Sequence, residues 1–375
     1  MEGAMFKKYN IGIMGTGNIA GVMAATIKKM KNVRLYAAAS RSKVKADIFA
    51  QKYGCKKAYG SYEELAADSK VDLIYVATPH SEHYENVKLC ILNERPVLCE
   101  KAFTANAGQA RELIALAREK NVFLAEAMWT RYMPMLATIR EALGSGIIGE
   151  MKTLTANLGY LIGQVPRLRE PSLAGGALLD VGVYTLNFAA MIFGDKVERI
   201  ESSCTYTDTG VDEQNSITIH YADNKIAVLN SSMISLSDRK GIIYGTKGFA
   251  IVENINNFES ITIFDSHYRQ VADYKRPKQI SGYEYEVEAC LKAIDAGELE
   301  CPQMPHEETI RIMEWMDGLR KQWGIVYPFE KPEERPEEKL EERPEEKLEE
   351  RLENTDAVKA QEEGVPAQEE AERDH

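Results

Sequence analysis

Asp180 and Tyr184 stand four residues apart in "ALLDVGVYTLNF" (177–188), an otherwise apolar stretch. On a helix, positions i and i+4 share one face, so a carboxylate and a phenol project together. Burying a carboxylate without partners costs several kcal/mol. The pair is therefore either a helix-start carboxylate beside a core tyrosine or half of a proton-transfer site. A second stretch, "IGIMGTGNIAGVM", sets Gly15, Gly17 and Ala20 as G-x-G-x-x-A, directly after a strand and at a helix start. The first glycine permits a tight turn, the second lets a pyrophosphate approach the backbone, and the small third residue lets helix pack on strand. Asn18 and Ile19 complete the loop, and the helix N-terminus meets the phosphate charge. The pattern predicts a dinucleotide cofactor.

The end of the second strand decides between cofactors. A site for NAD usually holds an acid there for the ribose hydroxyl. "RLYAAASRSKVKA" (34–46) has none: Ser40 and Arg41 occupy the turn, with Lys43 and Lys45 close by. Arg41 would pair with a 2′-phosphate and stack on adenine, which favours NADP without excluding NAD. Farther on, "ATPHSEHYE" puts Thr78, Pro79 and His83 in a turn expected over the nicotinamide side. His80 and His83 lack a third ligand of suitable spacing, so no metal is expected.

The elements that must hold these residues follow from hydrophobic pattern. Over residues 1–127, "YNIGIMG", "VRLYAAAS", "VDLIYVATP", "RPVLCEK" and "VFLAEA" read as strands. Helical segments at 18–30, 81–93 and 105–120 lie between them, and "SYEE" at Ser61 opens a shorter one. This alternation predicts a Rossmann-type, doubly wound parallel sheet. From Met151, "MKTLTANLGY", "VERIESSCTYT", "NSITIHYA", "KIAVLNSSMISL", "KGIIYGT" and "ESITIFD" follow in succession, which predicts a large, mainly antiparallel open sheet. The Asp180 helix is inserted after the first of these strands. Helices at 282–297 and 306–323 and a short element at 325–329 close the chain. The expected organisation is a dinucleotide-binding α/β domain (1–127), an α+β domain for substrate and oligomerisation (128–330), and an acidic tail (331–375).

Charge divides along the same lines. The tail holds 8 Lys and Arg against 18 Asp and Glu, and the other 330 residues 38 against 40. The folded part is close to neutral and offers no basic field for nucleic acid. The tail repeats "EERPEEKL", too poor in apolar residues and too often interrupted by proline to fold alone. No apolar run approaches the roughly 18 residues of a membrane span, and "MEGAMFKKYN" has no apolar signal region. Six scattered cysteines without a C-x-x-C pair fit reduced thiols and a cytoplasmic setting.

From about residue 9 to 329 the sequence resembles the glucose–fructose oxidoreductase / inositol dehydrogenase / rhizopine catabolism family of NAD(P)-dependent oxidoreductases. The resemblance rests on the G-x-G-x-x-A loop, "TPHSEH", "CEKAFT" and the Asp180–Tyr184 spacing. "EAMWTRYMP" (126–134) and "AGGALLDVGVYTL" (174–186) are similar to the dimeric dihydrodiol dehydrogenase and D-xylose dehydrogenase branch. The resemblance implies that Lys101 of "CEKAFT" reaches the substrate hydroxyl beside the nicotinamide, with Glu100 next to it on the cofactor. It implies that Asp180 binds substrate and orients the lysine, and that Tyr184 stands where the inositol branch has histidine. The family pattern reads E-K-P, whereas this chain has Ala102, and a peptide before alanine is expected to be trans. Trp129 and Arg131 are expected to face the cleft, Trp129 as a stacking face for a ring, with Tyr160 on the substrate side. The loop 161–176, with Arg167 and Arg169, is read as a flap.

The chemistry asks for such groups in any case. Oxidising a secondary alcohol removes the hydroxyl proton as hydride leaves the carbon, so a base must lie within hydrogen-bond reach. Lys101 and Tyr184 are the two candidates, and which one ends with the proton stays open. The expected activity is NADP- or NAD-dependent oxidation of a ring CH–OH in a sugar, glycoside or cyclic diol. A tightly held nucleotide shuttling hydride between two sugars is the variant, and a non-catalytic nucleotide-binding scaffold the alternative. An open antiparallel sheet is an apolar liability in a monomer, so a homo-dimer or larger assembly through the second sheet is expected.

Overall fold

Short runs rich in Val, Ile and Leu alternate with helices through the first third of the chain. The computed structural model describes residues 8–330, so the acidic repeat of 331–375 lies outside the described residues. Strands β1 (Tyr9–Met14), β2 (Val33–Ala39), β3 (Lys57–Tyr59), β4 (Leu73–Val76), β5 (Val97–Glu100) and β6 (Leu124–Ala127) form one parallel sheet in the order β3-β2-β1-β4-β5-β6. Helices α1 (Asn18–Ile27), α2 (Lys43–Tyr53), α3 (Tyr62–Ala66), α4 (His83–Leu92) and α5 (Ala107–Lys120) connect them. The strand order reverses between β1 and β4, so the loops after these two strands flank the crevice where such sheets take ligands. Two elements, β3 and α2, are absent from the sequence-based expectation. β3 is three half-buried residues, and α2 buries only Ala46, Phe49 and Ala50, so neither prints a strong period.

The second sheet follows α6 (Pro134–Gly144). Its strands are β7 (Met151–Gly159), β8 (Val197–Tyr206), β9 (Asp212–Tyr221), β10 (Ile226–Ser232), β11 (Gly241–Gly245), β12 (Gly248–Glu253), β13 (Ser260–Asp265) and β14 (Gln270–Lys275). They lie in the order β14-β13-β12-β11-β7-β10-β9-β8, antiparallel throughout except for the β7–β10 pair. β12 and β14 extend the expected set: the first is joined to β11 by a tight hairpin, and the second is a polar, largely exposed edge. Between β7 and β8 lie the short helix α7 (Pro166–Arg169), a π-helical turn (Leu178–Gly182) and α8 (Val183–Phe193).

Alternation along the strands sends one set of side chains onto α8. In β10, Ala227 and Leu229 are buried while Ile226 and Val228 face outward. α8 is consequently apolar nearly all round. The stretch Pro171–Phe193 passes a length-and-composition test for a membrane span, against the expectation that no run does. It is 94% buried within the fold and serves as its core helix.

The last two helices, α9 (Glu284–Asp295) and α10 (His306–Gln322), return to the first sheet. The Leu124 amide of β6 donates to the Leu299 carbonyl at 3.0 Å. His306 Nε2 donates back to the Leu124 carbonyl at 2.8 Å, and the Ala107 amide of α5 donates to Asp317 at 2.8 Å.

Candidate active site

The loop after β1 has the shape the glycine pattern demands. Gly15 has φ +102°, and a Cβ there would lie 2.7 Å from the Ala77 carbonyl oxygen. Gly17 caps α1 with no side chain bonded to the helix amides, and nothing lies within 4 Å of where its Cβ would be. Exposed amides at a helix start beside open space fit a dinucleotide pyrophosphate.

From this loop a cleft of about 670 Å³ runs between the two sheets. Gly17, Asn18, Ile19, Thr78, Pro79, Glu100 and Lys101 line it from the first sheet. Tyr160, Arg167, Asp180, Tyr184, Asn256 and Tyr283 line it from the second half of the chain. Lys101 directly follows β5, and its ammonium donates to the Asp180 carbonyl oxygen at 2.7 Å and to Asp180 Oδ1 at 3.4 Å. The same nitrogen lies 5.1 Å from the centre of the Tyr184 ring. The three residues singled out for proton chemistry are thus brought together. The Lys101–Ala102 peptide is cis, against the expectation of trans before alanine.

Asp180 sits in the π turn and Tyr184 opens α8, so the expected regular helical face is locally widened. Burial alone would raise the Asp180 carboxyl, but Lys101 and Arg167 outweigh it and hold the group well below the usual range. Arg167 Nη2 donates to Asp180 Oδ1 at 3.0 Å. From behind, the Leu178 amide at the start of the turn donates to buried Asp212 at 2.8 Å. Asn215 also donates to Asp212, at 2.9 Å, and accepts from the Ser231 hydroxyl at 2.7 Å.

Tyr184 is buried, and its hydroxyl accepts from Trp129 Nε1 at 3.1 Å. Burial, with the charges of Tyr283 and Glu100, raises the phenol well above its ordinary value, so it keeps its proton. Glu100 is buried as well: it accepts from the Lys101 amide at 3.1 Å and from the Tyr75 hydroxyl, and burial raises its carboxyl. The Tyr160 hydroxyl accepts from Asn256 Nδ2 at 3.0 Å at the far wall.

Three expected contacts are corrected, those of Trp129, Arg131 and His83. Trp129 stacks on Tyr283 with ring centres 4.1 Å apart and planes 1° from parallel, so that face is already covered; its role is to hold Tyr184. Arg131 is buried away from the cleft, donating to Asn187 of α8 at 2.6 Å and to Glu308 of α10 at 2.7 Å. His83 is also buried: its nitrogens lie 2.8 Å from the Thr78 carbonyl and 2.9 Å from the Ala102 carbonyl, so it braces the two cleft loops from beneath. Ser40 is buried and accepts from the Ser42 amide at 3.3 Å, with Arg41 exposed beside it; neither lines the main cleft. A second cavity of about 540 Å³ lies beside the glycine loop, lined by Thr16, Gly17, Asn18, Lys45, Lys52 and Tyr53 among others.

Asn256 and Tyr283 enter the cleft unannounced by the sequence, His80 enters it as no part of a metal pair, and Arg167 reaches it from the loop read as a flap. Tyr283 is about a hundred residues from Asp180 and precedes α9, so no local spacing could tie it to the site.

The family model for an oxidoreductase family with an NAD-binding Rossmann fold matches residues 9–128. A GFO/IDH/MocA C-terminal domain matches 136–251. The trans-1,2-dihydrobenzene-1,2-diol dehydrogenase of Xenopus tropicalis is 36% identical over 325 residues, covering 84% of this chain and 98% of that protein. The human enzyme of that name is 31% identical over 328 residues, covering 85% and 98%. Among solved structures, a 3-ketoreductase from Actinomadura kijaniata in complex with NADP and TDP-benzene superposes with a TM-score of 0.77 at 22% identity, covering 84% of this chain and 98% of that one. An aldose–aldose oxidoreductase from Caulobacter crescentus superposes with a TM-score of 0.76 at 18% identity, covering 85% and 98%.

Proposed function

The chain belongs to the Gfo/Idh/MocA family of NAD(P)-binding oxidoreductases, and from that premise we propose that it transfers hydride between a ring secondary hydroxyl of a cyclic diol, sugar or glycoside and NADP. The observation that carries this reading is the Lys101 ammonium, held by Asp180 at the junction of the glycine loop and the second half of the chain. The glycine loop with Gly17, Asn18 and Ile19 would hold the nucleotide, which would supply a hydride acceptor for the carbinol carbon. Lys101 Nζ meets the hydroxyl that reacts, taking its proton as hydride leaves the carbon in oxidation and returning it in reduction, and Asp180, ionised at any working pH, fixes the direction of the amine. Tyr184 supplies a hydroxyl whose oxygen is engaged by Trp129, which leaves its O–H directed elsewhere. Ile162, Val165, Leu168 and Val181 give the cleft one apolar wall, suited to the carbon face of a ring.

NADP is preferred in this reading because no acid ends β2, where Arg41 stands exposed, while Lys45 and Lys52 line the cavity beside the glycine loop. The dihydrodiol dehydrogenase relatives support cyclic diols as the first class to try. The assembly is a homo-dimer through the second sheet. Its outward face carries the cross-strand row Ile226–Thr153–Tyr244–Phe249–Phe264, with Phe249 and Phe264 stacked at 4.9 Å. Reduction of NADP by trans-cyclohexane-1,2-diol and by a panel of pentoses and hexoses, followed at the nicotinamide absorbance, tests the activity. Tight nucleotide binding with no hydride transfer to or from any of them would favour the scaffold alternative instead.

A further inference from the structure

His80 lies between Pro79 and the flap. It is 6% exposed and lines the cleft beside Lys101 and Asp180. Its Nδ1 stands 3.2 Å from the Ala174 carbonyl oxygen. A carbonyl only accepts, so Nδ1 carries the hydrogen and Nε2 does not. Among the described residues nothing hydrogen-bonds Nε2, and this atom is not one of the sealed, unpartnered polar atoms of the core. Nε2 therefore opens on the cleft as a bare acceptor. Burial, then the charges of His83, Lys101 and Arg167 against the opposing Asp180, lower the ring to about 3, so it stays neutral wherever the protein works.

Several of the cleft's other acceptors are engaged, while Asn256 Oδ1 at the far wall and Asp180 Oδ2 take no hydrogen bond among the described residues. Asp180 Oδ1 takes Lys101 and Arg167, Glu100 takes the Lys101 amide and Tyr75, and the Thr78 hydroxyl takes Asn86 Nδ2 at 3.0 Å. A ligand hydroxyl that does not react must still donate its hydrogen when it leaves water, or the desolvation it suffers goes uncompensated. We propose that His80 is a hydroxyl-reading residue of the cleft, its Nε2 accepting from a non-reacting hydroxyl of the bound ligands. Two ligands carry such a group here: a polyhydroxylated substrate, at the hydroxyl next to the one oxidised, and the nicotinamide ribose. The inference rests on the reading of the cleft as a hydride-transfer site. It deepens that reading by predicting diols over simple alcohols where the substrate is the source.

The test is imidazole nitrogen NMR on the 15N-histidine protein, with His80 assigned by loss of its signals in His80→Gln. In the free protein, Nε2 should read as an unprotonated nitrogen from pH 5 to 8. A shift of Nε2 on adding NADP alone assigns the ribose as donor. A shift only when trans-cyclohexane-1,2-diol joins the NADP complex, and not with cyclohexanol, assigns the substrate. His80→Phe should then raise the Kd of NADP in the first case, or the KM of the diol in the second, by ~10-fold. His80→Gln, which keeps an acceptor, should recover most of that loss, and unchanged thermal unfolding checks that both variants fold. A protonated Nε2, or a signal unmoved by NADP and by a diol that the enzyme oxidises, overturns the proposal. Failure of the wild-type protein to oxidise any alcohol would instead strike the functional reading, while the NADP arm still decides whether His80 reads the ribose.

Discussion

Lys101 is anchored to Asp180 chiefly through the backbone: its ammonium is 2.7 Å from the Asp180 carbonyl oxygen and 3.4 Å from the nearer carboxylate oxygen. The residues lie 79 positions apart and belong to opposite walls of the cleft. The lysine therefore stays aimed even when the side chain of its partner changes, and the carboxylate is shared with Arg167.

Removing the ammonium should abolish chemistry and spare binding. Lys101→Met is expected to lower kcat by 10²- to 10⁴-fold, the usual weight of acid–base catalysis. NADP affinity measured by fluorescence titration should stay within a few-fold. Asp180→Asn, which keeps the backbone anchor, should cost kcat less than Lys101→Met does. A Lys101→Met enzyme with near-normal turnover would remove the lysine from the reaction.

Trp129 acts through Tyr184. Trp129→Phe keeps the stack on Tyr283 and deletes the 3.1 Å hydrogen bond to the Tyr184 hydroxyl. Combined with Tyr184→Phe in a double-mutant cycle on kcat/KM, it should give a coupling energy of about 1 kcal/mol. Additive losses would mean that the two side chains serve the reaction independently.

Asp212 predicts a pH-dependent stability. Burial raises its carboxyl to about 6 against the pull of Asn215 and the Leu178 amide. In the unfolded chain an aspartate titrates near 4, so the folded protein binds this proton more tightly. Its stabilising contribution is full below about pH 4 and is lost as pH rises through 6, which leaves a cost on the order of 3 kcal/mol at neutral pH. Asp212→Asn retains an oxygen for the Leu178 amide and has nothing to ionise. Denaturant unfolding of the variant should therefore gain on the wild type as pH rises from 4 to 7. A difference that stays flat across that window contradicts the assignment.

Cofactor choice should turn on the end of β2. Arg41→Ala is expected to raise KM for NADP by roughly 10-fold or more and leave KM for NAD little changed, since only the 2′-phosphate engages the guanidinium. Equal effects on both cofactors would assign Arg41 to the adenine or to the surface.

The outward row on the second sheet should hold two copies together. Val228 is 40% exposed and stands in the middle of that face. Val228→Glu would bury charge at the interface, and sedimentation should move from dimer to monomer. A wild-type protein that sediments as a monomer at micromolar concentration rules the assembly out.

Much of this architecture was legible in the chain because it is written in local periods. The glycine loop, the alternation around β1 to β6 and most of the second-sheet strands follow from spacing alone. Lys101, Asp180 and Tyr184 were legible as a group only by resemblance, since their meeting depends on how the two halves face each other. The roles of Trp129, Arg131 and His83 were misread for one reason. Residue type and position predict nearness to a cleft, whereas the direction of a side chain is decided by neighbours such as Tyr283, Glu308 and the Ala102 carbonyl. Tyr283 had no sequence signal, and His80 was weighed only as half of a metal pair, because the partners that define them lie in distant loops.

The return of the last helices to β6 bears on how this protein can be taken apart. Leu124 is bonded on both sides to residues from the far end of the chain, Leu299 and His306. A nucleotide-binding fragment ended after Ala127 would leave those groups bare and uncover the α5 surface that α10 protects. Recombining this cofactor module with a foreign partner therefore means grafting the substrate sheet as an insertion between β6 and α9, not appending it behind a cut. Its genetic unit of exchange is a cassette with both ends in the host.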